Sequence, residues 1–353
     1  MNRPTLIPGL PRVWRNRFEL QLGSDPTRAA VLRLPDPRAA RVLDLLDGSR
    51  PERVVMLEAV ADGVPPHEAR AVLDALEAAG LTVPATALLP PVRGADRLTG
   101  EAAVLALRGE GSPTPATRLR RRGASRVVIC GQGRLGASIA VALAEAGVGH
   151  IHLDLPGLVH RGELAGGPLR ASDIGRTRTE AVEAAVARTV EGVETNGVRG
   201  QPATLVIQLD PDSPVAVVAA AYAGRRQPHL AVTIRDGAPV IGPLVPAVGG
   251  PCLACLDLHR RDRDAAWPGQ PPRTLPEPCT VATLLAATAV AVEESLTFID
   301  GGSPGTLGAS IELTNPTRQR RRTWTPHPDC DCARRPARQR VNPSAAPTAT
   351  QPP

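Results

Sequence analysis

Four cysteines stand in two close pairs, Cys252-Leu-Ala-Cys255 and Cys330-Asp-Cys332. Together they offer four thiolates, the number and softness of ligand that tetrahedral zinc favours. The first pair has the usual CxxC spacing, the second a tighter CxC, and His327 lies close enough to Cys330 to replace one ligand. The competing reading is two unrelated pairs of free thiols. Zinc held this way would tie the middle of the chain to its end, a structural job. The N-terminus lacks the apolar stretch of a secretory signal, so a soluble cytoplasmic protein is expected, where paired cysteines serve metals more often than disulfides.

A second constellation is Gly131-Gln-Gly133-Arg-Leu-Gly136, which follows the apolar run Arg126-Val-Val-Ile-Cys130 and opens a helical stretch. Glycines so placed allow a tight turn and bring a phosphate close to a helix N-terminus. Asp154 falls about 18 residues past Gly136, at the end of a second strand, where a ribose hydroxyl would be held. The same glycines also suit a turn retained only to pack helix on strand. Cys130, inside an apolar strand, reads as core. Cys279 immediately precedes a long helix whose N-terminus would lower a thiol pKa; a reactive thiol and a packed cap residue both remain open.

The elements that must position these groups show in the chain's rhythm. Phe18 to Leu22 and Ala30 to Leu34 alternate around Gly23-Ser-Asp-Pro26 and predict a hairpin. Helices are predicted from Asp36 to Gly48, Pro51 to Ala61 and Pro65 to Ala79, and Leu81 to Val83 returns as a short strand. After Ser125 strands and helices alternate. Strands are expected at 126–130, 150–154, 204–209, 229–234 and 309–313, and helices at 135–146, 179–190, 213–223 and 284–298. That alternation argues for an α/β fold, a Rossmann-like parallel sheet covered on both faces.

The chain therefore divides into a small winged-helix-like α+β module at 1–83, a linker at 84–124 holding one helix near Arg97 to Leu107, an α/β domain at 125–332 and a disordered tail at 333–353. Its 353 residues carry a net charge of +6, and all 41 basic residues are arginine, so no lysine is available as nucleophile or phosphate ligand. The arginine runs at 118–122 and 318–340 read as solvated linker and tail. Aromatic residues are only 2%, too few for base stacking, and the longest apolar run, Leu284 to Val292, is too short for a bilayer. Neither nucleic acid nor membrane is expected as a partner.

Ser125 to Val159 with Ala146-Gly-Val-Gly-His150, then Asp173-Ile-Gly-Arg-Thr-Arg178 and Gly250-Pro-Cys-Leu-Ala-Cys255, resemble in order the motifs of the ThiF/MoeB/HesA superfamily, which includes the ubiquitin-activating enzymes. Active members adenylate a carrier-protein carboxylate with ATP and magnesium. Asp154 matches the first of two family aspartates, but Pro156 stands at the second. Glu163 and Gly166 lie where an asparagine–arginine pair is expected, and Arg178 replaces the family lysine. Asp210 and Asp212 are displaced from the magnesium-binding position. The resemblance thus implies an incomplete adenylation site, whose catalytic candidates are Arg178, Asp210, Asp212 and Cys279. Its nucleotide-holding candidates are Gly131, Gly133, Gly136, Asp154 and Arg178.

A narrower resemblance joins Gly242 to Val245, Cys255 to Asp264 with Trp267, and Pro326 to Cys332 to actinobacterial ThiF-like leader-peptide-binding proteins of azole-forming (TOMM) peptide-modification clusters. The N-terminal module is similar to the PqqD-like recognition element. The resemblance implies a protein that binds a precursor leader peptide and presents it to a separate modifying enzyme of the YcaO cyclodehydratase type, with structural zinc and a homodimeric state. The alternative it leaves is an active ATP-dependent adenylyltransferase. A third, an NAD-dependent oxidoreductase, is allowed by the glycine turn and disfavoured by the late cysteine pairs.

Overall fold

The computed structural model describes residues 3–27, 29–92, 94–109, 113–197, 201–211, 213–269 and 277–332. Asp212 and the expected tail lie outside them. At the N-terminus, β1 (Pro4–Leu6) is followed by β2 (Arg12–Asn16), β3 (Glu19–Leu22) and β4 (Ala30–Arg33). The alternation read from sequence places Leu20 and Leu22 inward, and Leu20 faces Leu32 in the antiparallel register of β3 and β4. β2 adds to β3 as an outer strand with all five residues exposed.

The stretch expected as a first helix is a 3-10 coil, Pro37–Leu45, started by Asp36, whose carboxylate accepts the Arg38 N–H. α1 (Glu52–Ala61) and α2 (Pro66–Ala78) follow as expected, and β5 (Thr82–Pro84) pairs with β1. Val42, Leu43, Val55, Leu73 and Leu76 close a core under the three-stranded sheet.

The stretch expected as a linker with one helix holds three helices among its described residues. These are α3 (Ala85–Leu88), α4 (Thr99–Arg108) and α5 (Pro115–Ala124), which enclose Leu88, Leu98, Ala102 and Leu119. The reason lies in the arginine run: α5 turns Leu119 and Arg122 inward and leaves Arg120 and Arg121 outside. Arg122, 3% exposed, holds the Asp300 carboxylate through Nη2 at 2.7 Å and Nε at 3.0 Å, with Glu101 and the Ala146 carbonyl on Nη1. A buried charge is tolerated only when paired in this way.

The large sheet has seven strands. β6 (Arg126–Cys130), β7 (His150–Asp154), β8 (Leu205–Gln208) and β9 (His229–Arg235) are parallel in the order β7-β6-β8-β9. Their crossovers run through α6 (Leu135–Glu145), α7 (Arg178–Thr189) and α8 (Val215–Arg225). The other half departs from the expected parallel sheet. β10 (Ala238–Val245), β11 (Ala309–Asn315) and β12 (Arg318–Thr323) are antiparallel, so part of the second arginine run is an edge strand. Arginine along an edge discourages pairing with another chain.

α9 (Leu253–Arg263) and α10 (Val281–Ile299) complete the domain. α10 is long and apolar enough to cross a bilayer by length and composition, but Leu284, Ala287, Ala291, Leu296 and Ile299 sit in the sheet's core.

Candidate functional site: a glycine turn and a four-cysteine centre

The glycine turn joins β6 to α6. Gly131 has φ +96°, and a Cβ there would lie 2.8 Å from the Asp210 carbonyl and 2.9 Å from Gln208 Nε2. Gly136 does a different job: its Cβ would come within 3.0 Å of Leu209 and 3.3 Å of Leu155. The first glycine is thus needed for the turn and the last for helix-on-strand packing, as the spacing implied.

The turn's donors face inward. Gly131 N–H reaches the Asp154 carbonyl at 3.1 Å and Gln132 N–H the Asp210 carbonyl at 2.9 Å. Arg134 N–H, at the mouth of α6, donates to Glu277 Oε2 at 2.9 Å. Glu277 is 4% exposed. Its carboxylate occupies the seat that a helix N-terminus offers to an anion. The Arg134 guanidinium clamps the same segment through the Glu277 and Cys279 carbonyls. Sequence reading missed Glu277, since nothing local ties a glutamate between two prolines to a turn far upstream.

Arg178, expected to grip phosphate, is 5% exposed and committed elsewhere. Its Nε and Nη2 bind Glu163 Oε2 and Oε1 at 2.8 and 3.1 Å, Nη2 reaches the Leu158 carbonyl, and Nη1 the Pro156 carbonyl. The fork-on-carboxylate pair fixes the loop after β7. Asp154 ends β7 with its side chain exposed, opposite Cys130 in the register. Asp210 follows β8, and its backbone meets Gln132.

Cys130 contacts Gln208 and Tyr222, and burial pushes its thiol up to about 11, which suits a core residue. The lowered pKa expected of Cys279 is not found. Burial raises it, against Arg134 and with the help of Glu277, while Thr280 provides the cap of α10.

The four cysteines of the two pairs converge. Cys252 caps α9, which puts Cys255 one turn on, and a turn from Cys330 N–H to the His327 carbonyl folds the second pair back. Sγ–Sγ separations are 3.8 Å for Cys252–Cys255, 3.6 Å for Cys252–Cys330 and 3.2 Å for Cys255–Cys332. A tetrahedron with zinc–sulfur bonds of ~2.3 Å has edges of about 3.8 Å, so the set can hold a metal ion. Burial, then crowding by the other sulfurs, drives the Cys252 thiol up to about 11 and Cys332 further up. Burial also opposes ionisation of Cys255, but the His327 N–H and Cys332 outweigh it and lower that thiol. His327 is no fifth candidate: Nδ1 accepts the Asp329 N–H, so Nε2 carries the proton and donates to Asp262 at 2.8 Å.

Residues 111–222 match the ThiF family. The chain carries a ThiF-family domain. The match starts ahead of α5, earlier than the boundary expected at 125, in keeping with the Arg122–Asp300 pair that joins α5 to α10. No curated protein matches the sequence. Among solved structures, the E. coli MccB complex with selenomethionine MccA is similar at TM-score 0.64 and 16% identity, covering 94% of this chain and 99% of that one. E. coli MccB with ATP gives 0.61 at 14% identity over 93% and 99%. Selenomethionine PaaA gives 0.61 at 15% over 90% and 98%. At these identities the likeness is one of fold, and it extends from the ThiF-family domain over the N-terminal module.

Proposed function

We propose that this chain is a cytoplasmic ThiF-type protein of ribosomal peptide modification that binds a precursor leader peptide and presents it to a separate enzyme, without adenylating the peptide itself. One observation carries the second half of this reading: the anion seat at α6 is filled by Glu277, the chain's own carboxylate. Arg178 is spent on Glu163 in the same region. Adenylyl transfer needs preorganised positive charge where phosphate charge develops, and loss of one such donor costs ~100-fold or more in rate.

The peptide half is supported by the fold likeness to MccB, which is described bound to MccA. Further support comes from the edge strand β2, which with its following turn exposes Val13, Trp14 and Phe18 beside Arg12, Arg15 and Arg17. An added peptide strand is recognised by such an edge through its backbone, with side chains giving specificity. The PqqD-like winged-helix assignment, the zinc in the cysteine centre, a homodimer and a YcaO-type partner belong to the same proposal.

Two measurements test it. Full-length protein should bind the leader of a precursor encoded nearby, and Trp14→Ser with Phe18→Ser should weaken binding about tenfold or more. Pyrophosphate exchange with ATP, magnesium and precursor should stay at background, while Glu277→Gln should raise ATP affinity by vacating charge from the seat. The second reading, an active adenylyltransferase using Asp154, Arg178 and Asp210 or Asp212, is favoured by the exposed Asp154 carboxylate. Robust exchange that vanishes on Asp154→Ala would install it.

A further inference from the structure

Beside the glycine turn, past the carboxyl end of β8, a cavity of about 100 Å³ opens between the antiparallel strands and helices α8 and α9. Asp210, whose carbonyl meets Gln132, is on its wall. Among the described residues, four arginines line it, Arg235, Arg260, Arg263 and Arg322, against two carboxylates, Asp210 and Glu312. They come from separate elements: β9 ends in Arg235, α9 carries Arg260 and Arg263, and β12 carries Arg322. Among the described residues, no carboxylate is within ion-pair distance of Arg235, Arg260 or Arg322. Arg322 Nε is buried without a hydrogen-bond partner. Arg260 lies over the Trp267 ring, 5.6 Å from its centroid, and Arg263 lies 5.8 Å from that of Trp324. These rings hold the cations in place without neutralising them.

We infer that this cavity binds a carboxylate of the bound peptide. A buried donor left unpaired, as Arg322 Nε is, costs stability, and an anion bound among these guanidinium groups would satisfy it. Size decides the class. Pockets for nucleotide-sized ligands run from ~300 Å³ upward, whereas one acidic side chain or one chain end fits a space of this volume. Planar guanidinium forks suit carboxylate geometry, and the apolar walls, Leu253, Leu256 and Val218, match the methylene stem of an acidic residue. Burial depresses the Arg260 pKa to about 10; Arg235 and, less strongly, Arg322 press it the same way while Asp257 opposes them, so an incoming anion adds to the relief that Asp257 gives.

The inference rests on the reading that the chain handles a peptide, but its test uses single amino-acid probes. Trp324 lines the cavity and its indole N–H donates to Ser310 Oγ at 3.2 Å, so its nitrogen-15 resonance, assigned with Trp324→Phe, reports on occupancy. N-acetylglutamate α-amide, carrying only a side-chain carboxylate, or N-acetylalanine, carrying only a terminal one, should shift that resonance saturably. The tighter of the two gives the source of the group. N-acetylglutamine amide should not shift it. Arg260→Gln and Arg322→Gln should each weaken binding about tenfold or more without lowering the melting temperature, and Arg318→Gln should leave it unchanged. Lack of a saturable shift with either acid, affinities unaltered in both arginine variants, or tighter binding of inorganic phosphate than of either acid would overturn the assignment. Failure here leaves leader binding by β2 standing, whereas failure of the Trp14 and Phe18 variants to weaken leader binding removes that reading and leaves this one.

Discussion

Arginine at the two ends of the large sheet is treated in opposite ways. Beyond β7, Arg178 is sealed with Glu163 and two carbonyls, and the mouth of α6 is stoppered by Glu277. Across the sheet, Arg235, Arg260 and Arg322 face a cavity with no described carboxylate at ion-pair distance. A cation whose partners are built into the chain is architecture, and one whose partners are missing is available to a ligand. On the inference drawn above, anion binding belongs to the antiparallel half and not to the glycine turn, where Glu277 sits.

Four measurements can break or sharpen this contrast. The largest effect is expected at the cysteine centre, which anchors the antiparallel side. Purified protein should carry about one zinc per chain, and chelation or Cys255→Ser should cost on the order of 5 kcal/mol or more in urea unfolding, with metal and structure lost together. Metal analysis without zinc, in protein prepared free of chelator, would sink the assignment.

Next comes the sealed end. Arg178→Met leaves Glu163 buried and unpaired, so about 3–5 kcal/mol of stability should be lost, and the double variant with Glu163→Leu should recover much of it. A phosphate ligand would behave otherwise: its loss would spare stability and act on ATP binding alone. At the open end the sign should reverse, with Arg260→Gln unfolding within about 1 kcal/mol of the parent and on the stabilising side.

The smallest effect tests a buried group near neither arginine cluster. His229 donates from Nδ1 to the Gln227 carbonyl, and burial holds its pKa below the ordinary value. The unfolded chain therefore takes up the proton first as acid is added. Its contribution to stability is whole above the unfolded value of about 6.5 and declines as pH falls toward the folded one. His229→Gln should flatten that limb of the stability profile measured between neutral and mildly acid pH.

The sequence was most readable where a local rule suffices. The β6–α6–β7 unit follows from an apolar run, a glycine turn and a small-residue helix, and α7, α8, β8 and β9 came from the same rhythm. β10 was hidden because Pro239, Gly242 and Pro243 argue against a strand. The structure accommodates them with a register shift between Ile241 and Leu244, where a Cβ on Gly242 would lie 2.5 Å from the Ala309 carbonyl. β12 was hidden because arginine in a row reads as solvated tail, and an edge strand tolerates that composition. α3 to α5 were masked by the proline and arginine content of 84–124, whose burial depends on a partner at Asp300.

At the site, the glycine roles and the cysteine set were legible from spacing alone. The partners of Arg178 and the seat of Glu277 were not, because both are long-range pairings that carry no periodicity. The same holds for the cavity arginines, gathered from three elements that are far apart in the chain.

The Arg122–Asp300 pair also bears on how the protein is made. Arg122 is synthesised long before the carboxylate that neutralises it, since 178 residues separate the two. During translation α5 has a charge on its inner face with only Glu101 to set against it, so its docking stays incomplete until the far end of α10 leaves the ribosome. Contacts this distant in sequence slow folding, because the loop must close before the contact rewards it. The ThiF-family domain is thus expected to reach its native packing only as the chain nears release, and a ribosome stalled before Asp300 should leave 113–124 open to protease.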